Sequence, residues 1–369
     1  MSRVHIVLVN WNGWRDTVEC LESLFRLPEN EFRVTVCDNG STDNSLAHLV
    51  AWLEGDETAP DGAEQVWSKL EPKRHRAPSY RVVTSSDAVD PQDSPLVTIV
   101  DGQWNAGFAA GCNIGVRRAL ADPECGFIWL LNNDTVVTPG ALRALRTVMD
   151  QEPDVAVCGS TLLYYDSPDT VQGLGGQFFM DKARGVHIGN RQRLADLPSR
   201  AEIEKQLSYV IGASMFVRRS LFERTGGLSE DYFLYFEEID LATRLLHNER
   251  NAWAPESVVF HKEGRSIGSN WALRPSDTAI YYISVNTLRF YRKFHFRLLP
   301  LAFARLVRES FEALRRRDWG AIRIAMLATA DFVLGVRRTG AVGIGHPENS
   351  RIRLPSHGAQ GSDESHVNT

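Results

Sequence analysis

Strand-like and helix-like segments alternate through the first 160 residues, and this alternation limits the fold more than any other feature of the sequence. Such alternation is typical of parallel βαβ units, in which helices cover both faces of a sheet. We therefore predict an α/β fold with a Rossmann-like, mostly parallel sheet. The predicted strands are residues 4–9, 33–39, 97–102 and 127–131, and the predicted helices are residues 17–27, 45–53, 107–120 and 138–150.

The later part of the predicted domain changes in style. Residues 155–165, 175–180 and 209–219 resemble strands that are not separated by full helices. The later part of the sheet is therefore expected to mix antiparallel pairs with the parallel ones. We predict a single domain over residues 1–275, in which residues 54–95, rich in Asp, Glu, Pro and Ser, form a surface insertion.

The C-terminal part combines helical periodicity with positive charge. Residues 276–339 are predicted to be amphipathic helices, and residues 289–338 contain twelve Lys and Arg against four Asp and Glu. Basic amphipathic helices either lie on an anionic membrane surface or cover an edge of the core, and the pattern fits both. Residues 340–369 are polar, rich in Gly and Ser, and expected to be disordered.

The overall charge and the cysteines exclude several classes of protein. A net charge of -5 and a pI of about 6.1 disfavour nucleic acid as a partner, because its phosphates are normally met by a basic surface. The five cysteines lack CxxC spacing, which excludes a zinc ribbon or a secreted disulfide framework. No uncharged apolar run approaches the ~20 residues of a membrane-spanning helix. We expect a cytoplasmic protein that can lie at the inner face of the cell membrane.

Polar side chains follow four of the predicted strands. The segments begin at Asn10, Asp38, Asn105 and Asn132, and the third runs as far as Asn113. Because ligands of such sheets bind beyond the carboxyl ends of the strands, these segments together predict a pocket for a nucleoside diphosphate. Each segment by itself also fits an ordinary turn.

Specific roles can be suggested for members of these segments. Asp38 can accept hydrogen bonds from a base imide or a ribose hydroxyl. Gly107 and Gly111 would let the backbone approach a ligand closely, although they equally fit close packing of a helix on the sheet.

The stretch LLNNDT suggests a metal ion, since a buried strand here runs directly into two amides and a carboxylate. A hard cation such as Mg²⁺ or Mn²⁺ prefers oxygen ligands and retains substrate phosphates, so few protein ligands suffice. Asp134 is the best candidate ligand, and Asn132 either binds the metal or contacts the ribose. The alternative is an Asx-type turn before Thr135.

Two downstream segments contain further candidate groups. Glu237, Glu238 and Asp240 lie within four residues, where like charges raise one another's pKa and favour a proton acceptor. Acidic residues at a helix start are equally explained by the helix dipole. His261 ends a strand-like run and is either a metal ligand or a histidine at the edge of the core.

Six motifs in order resemble glycosyltransferase family 2, the inverting enzymes of the GT-A fold, and its rhamnosyltransferase-like members in particular. They span roughly residues 1–270. The motifs are VLVNWNG, CDNGSTDNS, NAGFAAGCNIG, LLNNDT, GASMFVRRSLFERTGGLSEDYFLYFEEIDLATR and HKEGRSIG.

The resemblance implies roles for residues of this chain. The aspartate that contacts uracil or thymine falls on Asp38, and the Asp-x-Asp motif falls on residues 132–134, with Asn132 replacing its first aspartate. The histidine that completes metal coordination falls on His261. The Glu-Asp pair whose second member is the base falls on Glu237 and Glu238, so that Glu replaces Asp, and Asp240 remains a second candidate.

The implied activity is transfer of a sugar, rhamnose being one candidate, from a UDP- or dTDP-sugar to a hydroxyl of a lipid-linked or polysaccharide acceptor. Arg265 and Ser266 are expected to reach the diphosphate, and residues 289–338 are candidates for peripheral membrane contact. Two alternatives are a nucleotidyltransferase that makes a nucleotide-sugar and a non-catalytic module of the same fold.

Overall fold

A ten-stranded mixed sheet forms the centre of the protein, as seen in a computed structural model that describes residues 2–28, 31–70, 78–87, 95–262, 275–340, 342 and 350–353. The strands described are β1 (Arg3–Asn10), β2 (Phe32–Asp38), β3 (Tyr80–Thr84), β4 (Val97–Asp101), β5 (Cys125–Asn132), β6 (Thr135–Val137), β7 (Val155–Tyr164), β8 (Ser167–Gly173), β9 (Gly176–Phe179), β10 (Arg184–His187), β11 (Ser214–Arg218), β12 (Arg250–His261), β13 (Val336–Thr339) and β14 (Ser350–Arg353). The α-helices described are α1 (Trp14–Leu24), α2 (Ser45–Glu54), α3 (Glu64–Trp67), α4 (Phe108–Ala121), α5 (Ala141–Gln151), α6 (Arg200–Glu204), α7 (Arg219–Thr225), α8 (Glu237–Thr243), α9 (Asp277–Phe294), α10 (Leu299–Arg315) and α11 (Trp319–Leu334).

The order of strands across the sheet is β3-β4-β2-β1-β5-β11-β7-β12-β6, with β8 paired to β7. The first five strands in this order are parallel to one another, whereas β11 is antiparallel to both of its neighbours. The predicted α/β fold and the predicted mixture of antiparallel pairs in the later part are therefore confirmed. Because β1, β2 and β5 are parallel, Asn10 pairs with Asp38 and Val9 pairs with Asn132 at the carboxyl edge.

Both faces of the sheet are covered, as β1 shows. Val4, Ile6 and Leu8 pack into a core shared with α1, α2 and α5, whereas Val7 packs into a second core shared with α4 and α7. Side chains that alternate between two cores explain why the strand is apolar throughout. In the second core a Cβ on Gly111 would lie 2.8 Å from Val9, so this glycine serves close packing of α4 on the sheet.

The predicted surface insertion at residues 54–95 contributes to the sheet itself. Its strand β3 pairs in parallel with β4 and forms one edge of the sheet. The short helix α3 buries Val66, and Trp67 donates a 2.8 Å hydrogen bond from Nε1 to Glu19 on α1. The segment therefore braces α1, a role that its polar composition did not indicate.

The predicted C-terminal helices are α9, α10 and α11, and they differ in burial. Tyr281, Tyr282, Phe290 and Tyr291 of α9 are fully buried, so this helix belongs to the core. Helices α10 and α11 pack through narrower faces and leave large apolar side chains exposed. In the part of the chain that the structure describes, no helix combines the length and the apolar character needed to span a bilayer.

The tail predicted to be disordered contains a strand. Residues 350–353 form β14, which pairs antiparallel with β13, so the prediction is wrong for these four residues. Residues 343–349 and 354–369 of the predicted tail lie outside the described residues.

A buried ion pair joins the end of α11 to β13. Arg338 Nε lies 2.5 Å from Asp331, which also accepts a 2.9 Å hydrogen bond from the hydroxyl of Tyr281 on α9. We expect Asp331→Ala to lower the free energy of unfolding by about 3–5 kcal/mol, because it leaves the Arg338 guanidinium buried without its counter-charge. Urea denaturation measures this. The control is Glu312→Ala, which removes an exposed ion pair to Arg316 and should cost less than about 1 kcal/mol. Equal losses in the two variants would contradict the assignment.

Candidate active site

A cleft of about 750 Å³ opens at the carboxyl edge of the sheet. One wall consists of strand ends and their loops, including Asn105, Asn132 and Asp134. The rest of the lining includes the β9–β10 hairpin and the segment 233–239, which contains Glu237 and Glu238. The topology thus brings into one cavity groups that are more than a hundred residues apart in sequence.

The loops after β1 and β2 are joined by buried hydrogen bonds. Asn10 is fully buried and donates from Nδ2 to Asp38 (3.0 Å) and to Ser41 (3.1 Å), while its Oδ1 accepts from Thr17 (2.8 Å). Both ends of the amide are therefore occupied within the protein, and the structure does not support the predicted contact between Asn10 and a ligand. Asp38 also accepts a 2.8 Å hydrogen bond from the backbone N–H of Ser41. Burial raises the pKa of Asp38, and these hydrogen bonds oppose the rise.

The loop before α4 lines the cleft through Asn105 and Gly107. Asn105 Oδ1 accepts hydrogen bonds from Asn39 (3.0 Å) and from the Gly107 N–H (2.9 Å). Gly107 has φ +98°, and a Cβ there would lie 2.6 Å from the carbonyl oxygen of Phe233. Glycine is thus required at this position, because Phe233, the first residue of the lining segment 233–239, approaches it closely.

Asn113 is a second predicted ligand contact that the structure uses internally. It is buried, donates from Nδ2 to the carbonyl of Leu228 (2.9 Å) and to Glu230 (2.8 Å), and accepts from the N–H of Leu228 (2.8 Å). Asn113 therefore fixes the loop that precedes the acidic segment, and the predicted contact with a donor is not supported.

Three of the predicted metal ligands converge at the edge of the cleft. His261 Nε2 lies 3.1 Å from Asp134 Oδ1 and 3.4 Å from Asn132 Nδ2. Asn132 Oδ1 is buried and has no hydrogen-bond partner among the described residues. On the far side of the ring, His261 Nδ1 lies 2.8 Å from Gln172 Oε1, a partner that the sequence did not indicate.

These contacts define the state of the His261 ring. Gln172 Oε1 can only accept, so Nδ1 donates to it. Nε2 faces Asp134 Oδ1 at 3.1 Å, and a proton on Nε2 forms an ion pair with Asp134 that a cation bound between the two groups would replace. Burial would raise the pKa of Asp134, but His261 outweighs burial and holds that pKa below its usual range.

This edge of the cleft fits a hard divalent cation. It offers an unpaired amide oxygen, a carboxylate and an imidazole nitrogen oriented by a second hydrogen bond. Over the described part of the chain, no three His, Cys, Asp or Glu side chains form a metal-binding group, so the candidate set depends on the amide of Asn132.

Lys262 fixes the strand end that carries His261. Its ammonium group is buried and forms ion pairs with Asp16 and Glu19 on α1. Glu19 also accepts a hydrogen bond from the hydroxyl of Tyr165. Burial would lower the pKa of Lys262, but the two carboxylates raise it above its usual value. The predicted diphosphate contacts Arg265 and Ser266 follow directly but lie outside the described residues.

The acidic pair lines the same cleft as the candidate metal ligands. Glu237 is buried, and its Oε2 has no hydrogen-bond partner in the described structure, whereas Glu238 is partly exposed. The two preceding residues, Tyr235 (φ 66°) and Phe236 (φ 79°), both have left-handed backbones. Bulky residues rarely adopt this conformation, which costs about 1–3 kcal/mol at each position.

Ionisation distinguishes Glu238 from the other candidate base. Burial raises the pKa of Glu238 to about 7 and, together with the charge of Glu238, raises the pKa of Glu237 well above its usual value. Asp240 is fully buried and lies 2.7 Å from Arg244 and 2.8 Å from Lys293. Two cations thus commit Asp240 to a structural ion pair, which removes the reason for treating it as an alternative base.

Known proteins resemble this chain in sequence. A family model described as glycosyl transferase family 2 matches residues 85–226. An N-acetylglucosaminyl-diphospho-decaprenol L-rhamnosyltransferase of Mycobacterium tuberculosis is 30% identical over 271 residues, or 71% of this chain and 77% of the relative. The chain belongs to glycosyltransferase family 2.

This family 2 protein is therefore a glycosyltransferase with a GT-A fold, as its motifs predicted, rather than a nucleotidyltransferase. The hexosyltransferase Agl10 of low-salt glycan biosynthesis in Haloferax volcanii is 24% identical over 39% of this chain, which spans only 45% of that relative. The solved mannosyltransferase PcManGT from Pyrobaculum calidifontis, in complex with GDP-Man and Mn²⁺, is 15% identical with a TM-score of 0.49, covering 90% of this chain and 88% of its own.

The raised pKa values of Glu237 and Glu238 predict that the free energy of unfolding falls as pH rises. A carboxyl group whose pKa is higher in the folded state contributes stability below its unfolded pKa, and that stability is lost as pH rises through the folded pKa, about 7 for Glu238. We expect Glu237→Gln to flatten this loss between pH 5 and 8, because the variant removes a carboxyl group whose pKa is raised by burial and by Glu238.

Urea unfolding at several pH values measures the difference between the two proteins. Glu312→Gln, at an exposed site on α10, is the control and should leave the pH dependence unchanged. Parallel pH profiles for wild type and Glu237→Gln would show that the carboxyl group of Glu237 is not held at an unfavourable ionisation.

Proposed function

We propose that this glycosyltransferase moves a sugar, with inversion, from a UDP- or dTDP-sugar to a hydroxyl group of a lipid-linked glycan acceptor, and that it uses Mg²⁺ or Mn²⁺. One observation carries the proposal. The unpaired Asn132 Oδ1, Asp134, His261 and Glu238 all line a single cleft, in which the first three lie next to one another.

The candidate metal ligands would bind the diphosphate of the donor through the cation. Asn132, Asp134 and His261 supply the ligands, and Gln172 keeps His261 Nε2 turned toward them. A bound divalent cation supplies neutralisation of the charge that develops on the departing diphosphate. Asp38 remains the proposed contact to the base, although it is buried behind the residues that line the cleft and already accepts hydrogen bonds from Asn10 and Ser41.

Glu238 would act as the general base. A pKa of about 7 leaves it substantially ionised at neutral pH and still able to hold a proton. It accepts the proton of the acceptor hydroxyl while that oxygen bonds to the anomeric carbon and the bond to the diphosphate breaks. Glu237 is buried beside it, and the charge of an ionised Glu238 raises the pKa of Glu237, so Glu237 retains its proton more strongly than Glu238.

The acceptor would enter along the wall formed by the β9–β10 hairpin. Arg184 and Arg191 line this wall, are exposed, and form no ion pair with any residue that the structure describes. Phe178 and Tyr209 add aromatic surface beside them. Unpaired arginines and aromatic rings suit an acceptor that combines a sugar with a diphosphate, such as the one named for the mycobacterial relative, whose donor sugar is rhamnose.

We also propose that α10 and α11 contact an anionic membrane surface. Val307 (69% exposed), Phe311 (60%) and Leu314 (42%) form an exposed stripe on α10, and Arg308 and Arg315 border it. On α11, the exposed Trp319, Met326 and Val333 recur every seven residues and share one face. Exposed apolar stripes bordered by arginine are typical of helices that lie in a lipid interface, where a lipid-linked acceptor is found.

The proposed chemistry predicts two different defects. Asp134→Ala should abolish the Mn²⁺-dependent part of UDP or dTDP binding, because it removes the only carboxylate of the proposed metal set. Glu238→Gln should leave that binding intact and lower transfer by about 10²-fold to 10⁴-fold, because it removes only the base. Calorimetric titration with Mn²⁺ and then with chelator measures the first effect. Transfer from dTDP-rhamnose to a polyprenyl-diphosphate-linked N-acetylglucosamine measures the second.

Each result can contradict its own part of the proposal. Binding of UDP and dTDP by Asp134→Ala that responds to Mn²⁺ as in wild type would remove the metal assignment. An active Glu238→Gln would remove the base assignment. Glu223→Gln, at an exposed position on α7, is the control and should show neither defect.

The membrane proposal predicts a loss of vesicle binding without a loss of fold. Val307→Ser combined with Phe311→Ser should reduce co-sedimentation with phosphatidylglycerol vesicles at least several-fold, because it removes the centre of the apolar stripe. Val82→Ser, at an exposed apolar position on β3, is the matched control. Co-sedimentation of the double variant equal to that of wild type, or no binding by wild type, would contradict the proposal.

A further inference from the structure

The turn that presents Glu238 cannot maintain its shape by local preference alone. Tyr235 and Phe236 both have positive φ, and the left-handed conformation crowds the Cβ of any residue except glycine. Consecutive bulky residues in this conformation persist only where surrounding structure imposes it. Contacts outside the turn must therefore determine where the carboxylate of Glu238 lies.

Asn286 of α9 provides such a contact. It is fully buried, and its Nδ2 donates to the carbonyl oxygens of Leu234 (2.9 Å) and Tyr235 (3.2 Å). Arg289 donates to Asn286 Oδ1 at 3.0 Å. This bond fixes the orientation of the amide, since a reversed amide would direct oxygen at the carbonyls and nitrogen at the guanidinium.

The contacts between α9 and this segment lie along one stripe of the helix. Phe290, four residues after Asn286, packs against Phe236 with ring centroids 5.7 Å apart. Lys293, seven residues after Asn286, lies 2.8 Å from Asp240 in the first turn of α8. Residues at these spacings share one helix face. One face of α9 thus contacts the carbonyl oxygens of Leu234 and Tyr235, the ring of Phe236 and the first turn of α8.

We propose that Asn286 is a positioning residue for transfer: it holds Tyr235 and Phe236 in the left-handed conformation and thereby places Glu238 in the cleft. The inference rests on the proposed role of Glu238 as the base. It gives α9 a part in the reaction, although this helix lies beyond the residues matched by the family model.

Asn286→Ala tests the proposal. We expect kcat to fall by about 10²-fold, as for loss of a positioned base, while the KM for the donor changes less than about threefold. The control is Tyr281→Phe, which removes a buried hydrogen bond from the same helix to Asp331 without affecting the turn. It should lower thermal stability and leave kcat unchanged. A folded Asn286→Ala with wild-type kcat would overturn the proposal.

A second variant separates positioning from general stability. Glycine adopts positive φ without steric cost, so Tyr235→Gly in the Asn286→Ala background should hold the turn better and recover at least fivefold in kcat. A purely structural role for Asn286 predicts no recovery, and that result would overturn the proposal. Should Asn286→Ala not fold, the isosteric Asn286→Asp replaces it with the same two outcomes.

One measurement does not depend on identifying the substrates. Amide hydrogen exchange at residues 235–238 should accelerate more than tenfold in Asn286→Ala and remain unchanged in Tyr281→Phe; equal rates in wild type and Asn286→Ala would overturn the proposal. Glu238→Gln distinguishes the two levels of inference. If it retains transfer, the base assignment fails. If it loses transfer while Asn286→Ala does not, only the role of Asn286 fails.

Discussion

Parallel pairing of β1 with β2 and β5 brings amides and carboxylates to one edge of the sheet, where each must find a partner because burial in an apolar interior is costly. Most of them do so within the protein. Asn10 and Asn113 use both ends of their amides, and their bonds tie together loops that are distant in sequence. The internal bonds therefore build the floor and walls of the cleft.

A smaller group remains unsatisfied, and its members face the cavity. Asn132 Oδ1 and Glu237 Oε2 have no hydrogen-bond partners in the part of the chain described, and Glu238 is held where ionisation is unfavourable. The strained backbone at Tyr235 and Phe236 adds a further unfavourable feature to the lining of the cleft. Groups of this kind acquire their partners from a substrate or an ion, so the cost to stability and the capacity to bind have the same origin.

Much of this arrangement could be predicted from the sequence, because strands and their polar ends are local patterns. The strand-end pattern makes Asp134 a candidate, the family resemblance adds roles for His261 and Glu238, and all three line one cavity. Local patterns do not show which groups form hydrogen bonds with a buried amide. The sequence therefore predicts a ligand contact for Asn10, although its hydrogen-bond partners lie within the protein. The sequence does not indicate Gln172 or Asn286 for the same reason: each acts through hydrogen bonds to residues about 50 to 90 positions away. The same limit made Asp240 seem equivalent to Glu238, since only the fold shows that two cations reach it.

The stripe on α9, formed by Asn286, Phe290 and Lys293, also limits which parts of the protein can be exchanged with those of a relative. The donor-facing residues precede it in the chain, so a hybrid that exchanged everything after residue 275 with a relative would retain them all. It would nonetheless receive a foreign helix at positions 286, 290 and 293, which contact Leu234, Phe236 and Asp240 of the retained part. The functional boundary between modules therefore lies after α9, one helix later than the boundary suggested by the composition of the chain.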